Sequence, residues 1–238
     1  MKSPLIKNII RSSQNNNAFI LNFYNPHIFT FLNPVSYLDA LKNKDLFSKF
    51  DGIFADGSVL VAAIRMLYGK KVERLSFDMT SVAPQLFDYA VQNNKSVYIV
   101  ASKQEQVEKA VAIFKEKWTG LNIIGFRNGY FNSEEEKESE AKHIVEVNPD
   151  FLIVGMGAVM QEKFLVLAKE KGFNGVGFTC GGFIHQVAQG DMDYYPACVD
   201  KWNLRFVYRF FKERHTRRRY LKAAFVFPAR FIFERFFG

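Results

Sequence analysis

The residues best suited to chemistry fall in short polar stretches, each directly after an apolar run. In Ile53-Phe54-Ala55-Asp56-Gly57-Ser58, a carboxylate follows three apolar residues and precedes a glycine. A carboxylate at the end of a buried strand faces a crevice, so Asp56 is placed to take a hydroxyl proton as a general base. The same spacing suits a cap for a helix starting at Gly57 or Ser58, and the residues alone leave the two readings even. Val154-Gly155-Met156-Gly157-Ala158-Val159-Met160-Gln161-Glu162 reads as a strand, a Gly-x-Gly turn and a helix start. Amide groups at such a turn suit a diphosphate, although the third glycine of the dinucleotide fingerprint is missing. Thr179-Cys180-Gly181-Gly182-Phe183-Ile184-His185-Gln186 repeats the theme. There His185 is either an acid, base or sugar ligand, or a hydrogen-bonded structural residue. Leu32-Asn33-Pro34 sets a polar amide at a helix start. Asp191-Met192-Asp193 could hold a divalent ion against phosphates, or be an ordinary polar loop. No P-loop, nucleophile elbow or Cys/His ligand spacing is present.

These stretches gain meaning from the elements that carry them. Short apolar runs alternate with longer helical segments, which predicts an α/β fold with a Rossmann-like parallel sheet flanked by helices. Predicted strands are Phe19–Tyr24, Ile28–Leu32, Gly52–Ala55, Ser96–Ala101, Asn122–Phe126, Phe151–Gly155 and Gly175–Thr179. Predicted helices are Pro34–Leu46, Ser58–Tyr68, Thr80–Asn93, Gln104–Trp118, Glu134–Val147 and Ala158–Lys171. Ser133 and Glu136 have capping-box spacing, the acidic run Glu134-Glu135-Glu136 suits a helix N-terminus, and Asn148-Pro149-Asp150 stops that helix.

The chain has 238 residues and is 48% apolar and 24% charged, which excludes disorder and small disulfide scaffolds. Its net charge of +8 is not evenly spread. Residues 201–238 carry eleven Lys and Arg against Glu213 and Glu234, a net +9, and the first 200 residues carry −1. Nine of the 26 Phe also lie in this tail. We therefore divide the chain into a core at 1–200 and a C-terminal helical appendage at 201–238. Interleaved Arg and Phe at helical spacing place guanidinium groups at phosphate level and rings just below, the pattern of a membrane-surface helix. The competing readings are a helix packed on the body by its Phe face, and a nucleic-acid-binding module. Pro228, Arg230 and Glu234 break the apolar stretches before they reach spanning length. Two cysteines, Cys180 and Cys198, and no signal-like N-terminus point to the cytoplasm.

Taken in order, these pieces resemble the bacterial WecG/TagA/CpsF glycosyltransferase family. They are Leu32-Asn33-Pro34, Ala55-Asp56-Gly57, Glu73-Arg74 with Asp78, Asn128-Gly129-Tyr130-Phe131, Asn148-Pro149-Asp150, Val154-Gly155-Met156-Gly157 with Gln161-Glu162, and Gly181-Gly182-Phe183. Trp202, Tyr208-Arg209 with Glu213, and Arg218-Arg219-Tyr220 complete the set. The resemblance implies inverting transfer of a sugar from a UDP-sugar to a polyprenyl-diphosphate-linked sugar, without metal or other cofactor, in surface polysaccharide or wall polymer synthesis. It implies a base at Asp56, substrate contacts at Asn33 and Gln161, and phosphate ligands at Arg209, Arg217, Arg218 and Arg219. Gly57, Arg74, Asp78, Asn128, Gly155, Gly157, Glu162, Gly182 and Gln186 complete the expected substrate-binding set. The expected location is the inner face of the cell membrane, on an anionic surface, with a homo-oligomer left open.

Overall fold

The computed structural model describes residues 3–14, 26–189 and 217–237, with Val199, Tyr208, Phe210 and Phe211 between them. In chain order the elements are α1 (Pro4–Gln14), β1 (His27–Leu32), α2 (Pro34–Lys42), α3 (Lys44–Ser48), β2 (Gly52–Ala55) and α4 (Ser58–Tyr68). Next come α5 (Val82–Gln92), β3 (Ser96–Ala101), α6 (Gln104–Lys117), β4 (Asn122–Arg127) and α7 (Glu134–Val147). They are followed by β5 (Phe151–Gly155), α8 (Met160–Lys171), β6 (Val176–Thr179), α9 (Phe183–Ala188) and α10 (Arg217–Phe236).

The six strands form one sheet in the order β2-β1-β6-β5-β3-β4. Every pairing is parallel. Helices cover both faces of such a sheet, which explains why β2, β5 and β6 are buried along their whole length. Side chains alternate between two cores. Tyr98, Val100, Leu152 and Val154 face α1, α4, α7, α8 and α10, whereas Val97, Ile99, Phe151 and Ile153 face α5, α6 and α9. All six strands end on the same side, so their following loops share one rim.

Several local features carry this arrangement. Asn33 caps α2, its Oδ1 accepting from the amides of Val35 at 2.9 Å and Ser36 at 3.1 Å. At α7, Ser133 Oγ accepts from the Glu136 amide, but the Glu136 carboxylate accepts from Asn132 at 2.6 Å, so the expected capping box closes one residue early. Asn148 ends α7 at φ +47.

The predicted helix Pro34–Leu46 is broken at Asn43, whose ψ of 43° is not helical and whose side chain donates to the Asp39 carbonyl. Two helices were not expected. The first, α1, buries Leu5, Ile6, Ile9 and Ile10 and covers the sheet edge: Ser12 Oγ accepts from the Ile53 amide of edge strand β2. The second, α9, forms where a loop was expected after β6. The predicted strand Phe19–Tyr24 and the 200/201 boundary lie outside the described residues.

The C-terminal helix α10 packs on α2 and α4. Ala223, Phe227 and Phe231 recur at four-residue spacing on its buried face. Tyr37 meets the rings of both phenylalanines, at 5.7 and 5.3 Å. Glu234 pairs with Lys44 at 3.3 Å, and Arg235 donates to the Leu67 carbonyl. Burying the two rings contributes roughly 3–6 kcal/mol. Packing on the body and an exposed aromatic face thus coexist: Phe225 is 80% and Phe236 57% exposed on the other side.

Candidate active site

Loops from the ends of all six strands enclose a cleft of about 760 Å³, and α10 supplies its remaining wall through Arg219, Tyr220, Ala223, Ala224, Phe227 and Pro228. Pro228 lacks the amide that would otherwise bond the Ala224 carbonyl, and both residues border the cleft.

Asp56 follows β2 and lines this cleft. Its amide donates to the Leu32 carbonyl at 2.8 Å, which ties the ends of β1 and β2 together. The N-cap of α4 is Gly57, at φ +98, so the carboxylate of Asp56 stands one residue outside the cap position. The guanidinium of Arg74 lies 3.8 Å from Asp56 Oδ1 and 3.1 Å from Asp78 Oδ2, and also donates to Ser76 Oγ. Asp78 accepts further bonds from Ser76 Oγ and from the amide and hydroxyl of Thr80. Arg74 is thereby braced by Asp78 and Ser76 while it faces Asp56. Its own strand segment is fixed by a parallel bridge between Arg74 and Ala55.

The opposite wall is built from the two glycine turns. Gly155 lies in close packing: a Cβ there would come within 2.7 Å of Cys180 Sγ and 3.0 Å of the Gly181 carbonyl oxygen. Gly157 and Gly181 adopt φ of +83 and +56, and both line the cleft. Gln161 spans the two turns, its Oε1 accepting from the Gly181 amide at 3.1 Å and its Nε2 donating to Glu162 at 2.9 Å. Burial pushes the Cys180 thiol up to about 12.

Most expected site residues therefore converge: Asn33, Asp56, Gly57, Arg74, Asp78, Gly155, Gly157, Gln161, Gly182, Gln186 and Arg219 all line the cleft. Gln186 is 8% exposed there. Asn128 is not in the lining; it shapes the turn behind it, bonding Gln104 Oε1 and the Tyr130 amide. Glu162 lies beneath the surface, 1% exposed, and is not positioned to touch substrate. Arg217 points at the carbonyls of Phe210 and Phe211, and Arg218 is exposed outside the lining. Arg209, Asp191 and Asp193 lie outside the described residues. His185 is held on both ring nitrogens, by Gln106 at 2.8 Å and Gln189 at 2.9 Å, which fits the structural reading, although it also borders the cleft. Ser102, Lys103 and Gln106 also line the cleft and were not anticipated, although Ser102 and Lys103 follow β3 and the strand-end rule points to them.

The family model described as "Glycosyl transferase WecG/TagA/CpsF family" matches residues 3–238. The chain belongs to this family. It is a glycosyltransferase, and the match spans body and C-terminal helix alike. The chain is 34% identical over 230 residues to the UDP-Gal:alpha-D-GlcNAc-diphosphoundecaprenol beta-1,4-galactosyltransferase of Shigella boydii, covering 97% of this chain and 96% of that relative. It is 24% identical over 221 residues to the N-acetylglucosaminyldiphosphoundecaprenol N-acetyl-beta-D-mannosaminyltransferase of Bacillus subtilis (strain 168), covering 88% and 83% of the two chains. The enzyme of the same name in Staphylococcus aureus (strain NCTC 8325 / PS 47) shares 25% over 205 residues, covering 86% and 76%. None of these relatives is named for binding nucleic acid.

Proposed function

We propose that this family member transfers a sugar from a UDP-sugar, with inversion, to a sugar carried on a polyprenyl diphosphate at the inner face of the cell membrane. The observation that carries this is the placement of Asp56 in a single cleft bounded by the glycine turns on one side and α10 on the other. In the reaction the acceptor hydroxyl loses its proton to Asp56, its oxygen bonds the anomeric carbon, and the bond from that carbon to the UDP oxygen breaks. The name of the galactosyltransferase relative supports inversion: its product is beta-linked, and the galactose of UDP-galactose is alpha-linked.

Charge builds on the departing diphosphate. The glycine turns at Gly157 and Gly181 and the cations Lys103 and Arg219 border the space it would occupy. These groups support a reaction that needs no metal. The C-terminal appendage brings the lipid-linked acceptor to this cleft: the face of α10 opposite Phe227 exposes Leu221, Phe225, Ile232 and Phe236 alongside Arg218 and Lys222.

UDP-galactose is the first donor to test, because the galactosyltransferase relative shares 34% identity against 24% and 25% for the mannosaminyltransferases. The expected result is transfer of labelled galactose to GlcNAc-diphosphoundecaprenol in detergent or vesicles, undiminished by EDTA. Absence of transfer from every UDP-sugar in a panel would overturn the reading, and loss of activity with EDTA would overturn its metal independence.

A further inference from the structure

We infer that Glu162 is a positioning residue: its buried carboxylate locks the turn at Val159 in a strained positive-φ backbone conformation and, through Gln161, fixes the glycine turn after β6, so that both turns keep their shape for the donor diphosphate. The inference rests on the proposed placement of that diphosphate at the two turns.

Burying a carboxylate is costly, and Glu162 is 1% exposed. Its hydrogen-bond partners are neutral groups. Thr30 Oγ1 and Gln161 Nε2 each donate at 2.9 Å to one oxygen, and the Val159 amide donates at 2.6 Å to the other. Thr179 Oγ1 in turn donates to Thr30 at 2.9 Å, so β1, β6 and the start of α8 share one network. Burial pushes the Glu162 carboxyl above the ordinary carboxylate range, with the hydrogen bonds opposing the shift.

The geometry of the turn shows what this arrangement holds in place. Val159 has φ +72 and ψ −42, and among the described residues it is the one β-branched side chain at positive φ. Such a conformation is a genuine outlier for valine and persists only when its surroundings over-determine it. The amide of that strained residue is the one aimed at Glu162 Oε2. On the other side, the Gln161 amide that bonds Glu162 also fixes Gly181, itself at φ +56. One carboxylate therefore braces the turn after β5 directly and the turn after β6 through its neighbour.

The test compares wild type, Glu162→Gln and Glu162→Gln/Val159→Gly by hydrogen exchange without ligand, by UDP affinity, and by the KM for UDP-sugar against kcat. Exchange should rise in peptides covering 156–163 and 179–183 of Glu162→Gln, and UDP affinity and donor KM should worsen about tenfold with a smaller change in kcat. Glycine adopts positive φ without strain, so Val159→Gly added to Glu162→Gln should recover most of the lost affinity. Unchanged exchange at both turns would overturn the inference. So would a double variant as weak as the single one, the outcome expected if Glu162 touched the donor itself. A fall in Tm with UDP affinity intact would reduce Glu162 to a core residue. If wild type bound no UDP while exchange at the turns still rose in Glu162→Gln, the diphosphate placement would fail and the bracing role would stand. Should Glu162→Gln not fold, Thr30→Val keeps the volume, removes one donor, and should shift the same readouts in the same direction to a smaller extent.

Discussion

Single atoms decide the shape of the cleft wall built from the two glycine turns. Gly155 has no room for a methyl group between Cys180 Sγ, the Ala101 Cβ and the Gly181 carbonyl. Gly155→Ala is expected to destabilise the protein by about 1–3 kcal/mol and to weaken UDP binding, because the clash pushes the two turns apart. Thermal unfolding with and without UDP measures both, and a wild-type Tm would contradict the close packing. Asp56, Gly155 and Gly157 were legible in the sequence because each stands at or just after the end of an apolar strand, and the ends of parallel strands meet at one rim, whereas Gln161 and Gln186 were expected from the family resemblance. Glu162 was not legible, since a Gln-Glu pair reads the same whether it faces a ligand or folds beneath the surface. Its partner Thr30 is 132 residues away and only the tertiary structure brings it near. Within the cluster Arg217–Arg219, consecutive helical residues point about 100° apart, so of the three it is Arg219 that borders the cleft.

At the scale of elements, α10 has one buried and one exposed aromatic face. Phe227→Ala removes a ring that is 3% exposed and should cost about 3–5 kcal/mol of stability, read as a lower Tm. Phe225→Ser and Phe236→Ser alter exposed rings and should leave Tm almost unchanged while reducing co-sedimentation with anionic vesicles. Equal vesicle binding by wild type and these variants would show that the exposed face is not the membrane contact. Strand ranges were legible nearly to the residue, because parallel strands buried on both faces read as short continuous apolar runs. The elements that escaped were α1, whose apolar positions sit in a polar N-terminal stretch, and α9, whose six residues are too few to display a helical period. The break at Asn43 also escaped, since it depends on a side chain that bonds backward to Asp39 rather than on a breaker residue.

For the molecule as a whole, charge and architecture agree. The near-neutral body supplies the strand ends and the glycine turns, and the +9 tail supplies the helix that both closes the cleft and presents aromatic and basic groups outward. The proposed transfer joins a soluble nucleotide sugar to a lipid-linked acceptor, and such a division suits it: the exposed face of α10 for the lipid carrier, and the glycine turns with Lys103 and Arg219 for the diphosphate. Asp56 lines the same cleft. The most direct measurement is turnover of Asp56→Asn with UDP-galactose and GlcNAc-diphosphoundecaprenol, with UDP affinity determined on the same protein. A fall in kcat of about 10²–10⁴ with UDP affinity close to wild type is the predicted result. Turnover within a few-fold of wild type would contradict it.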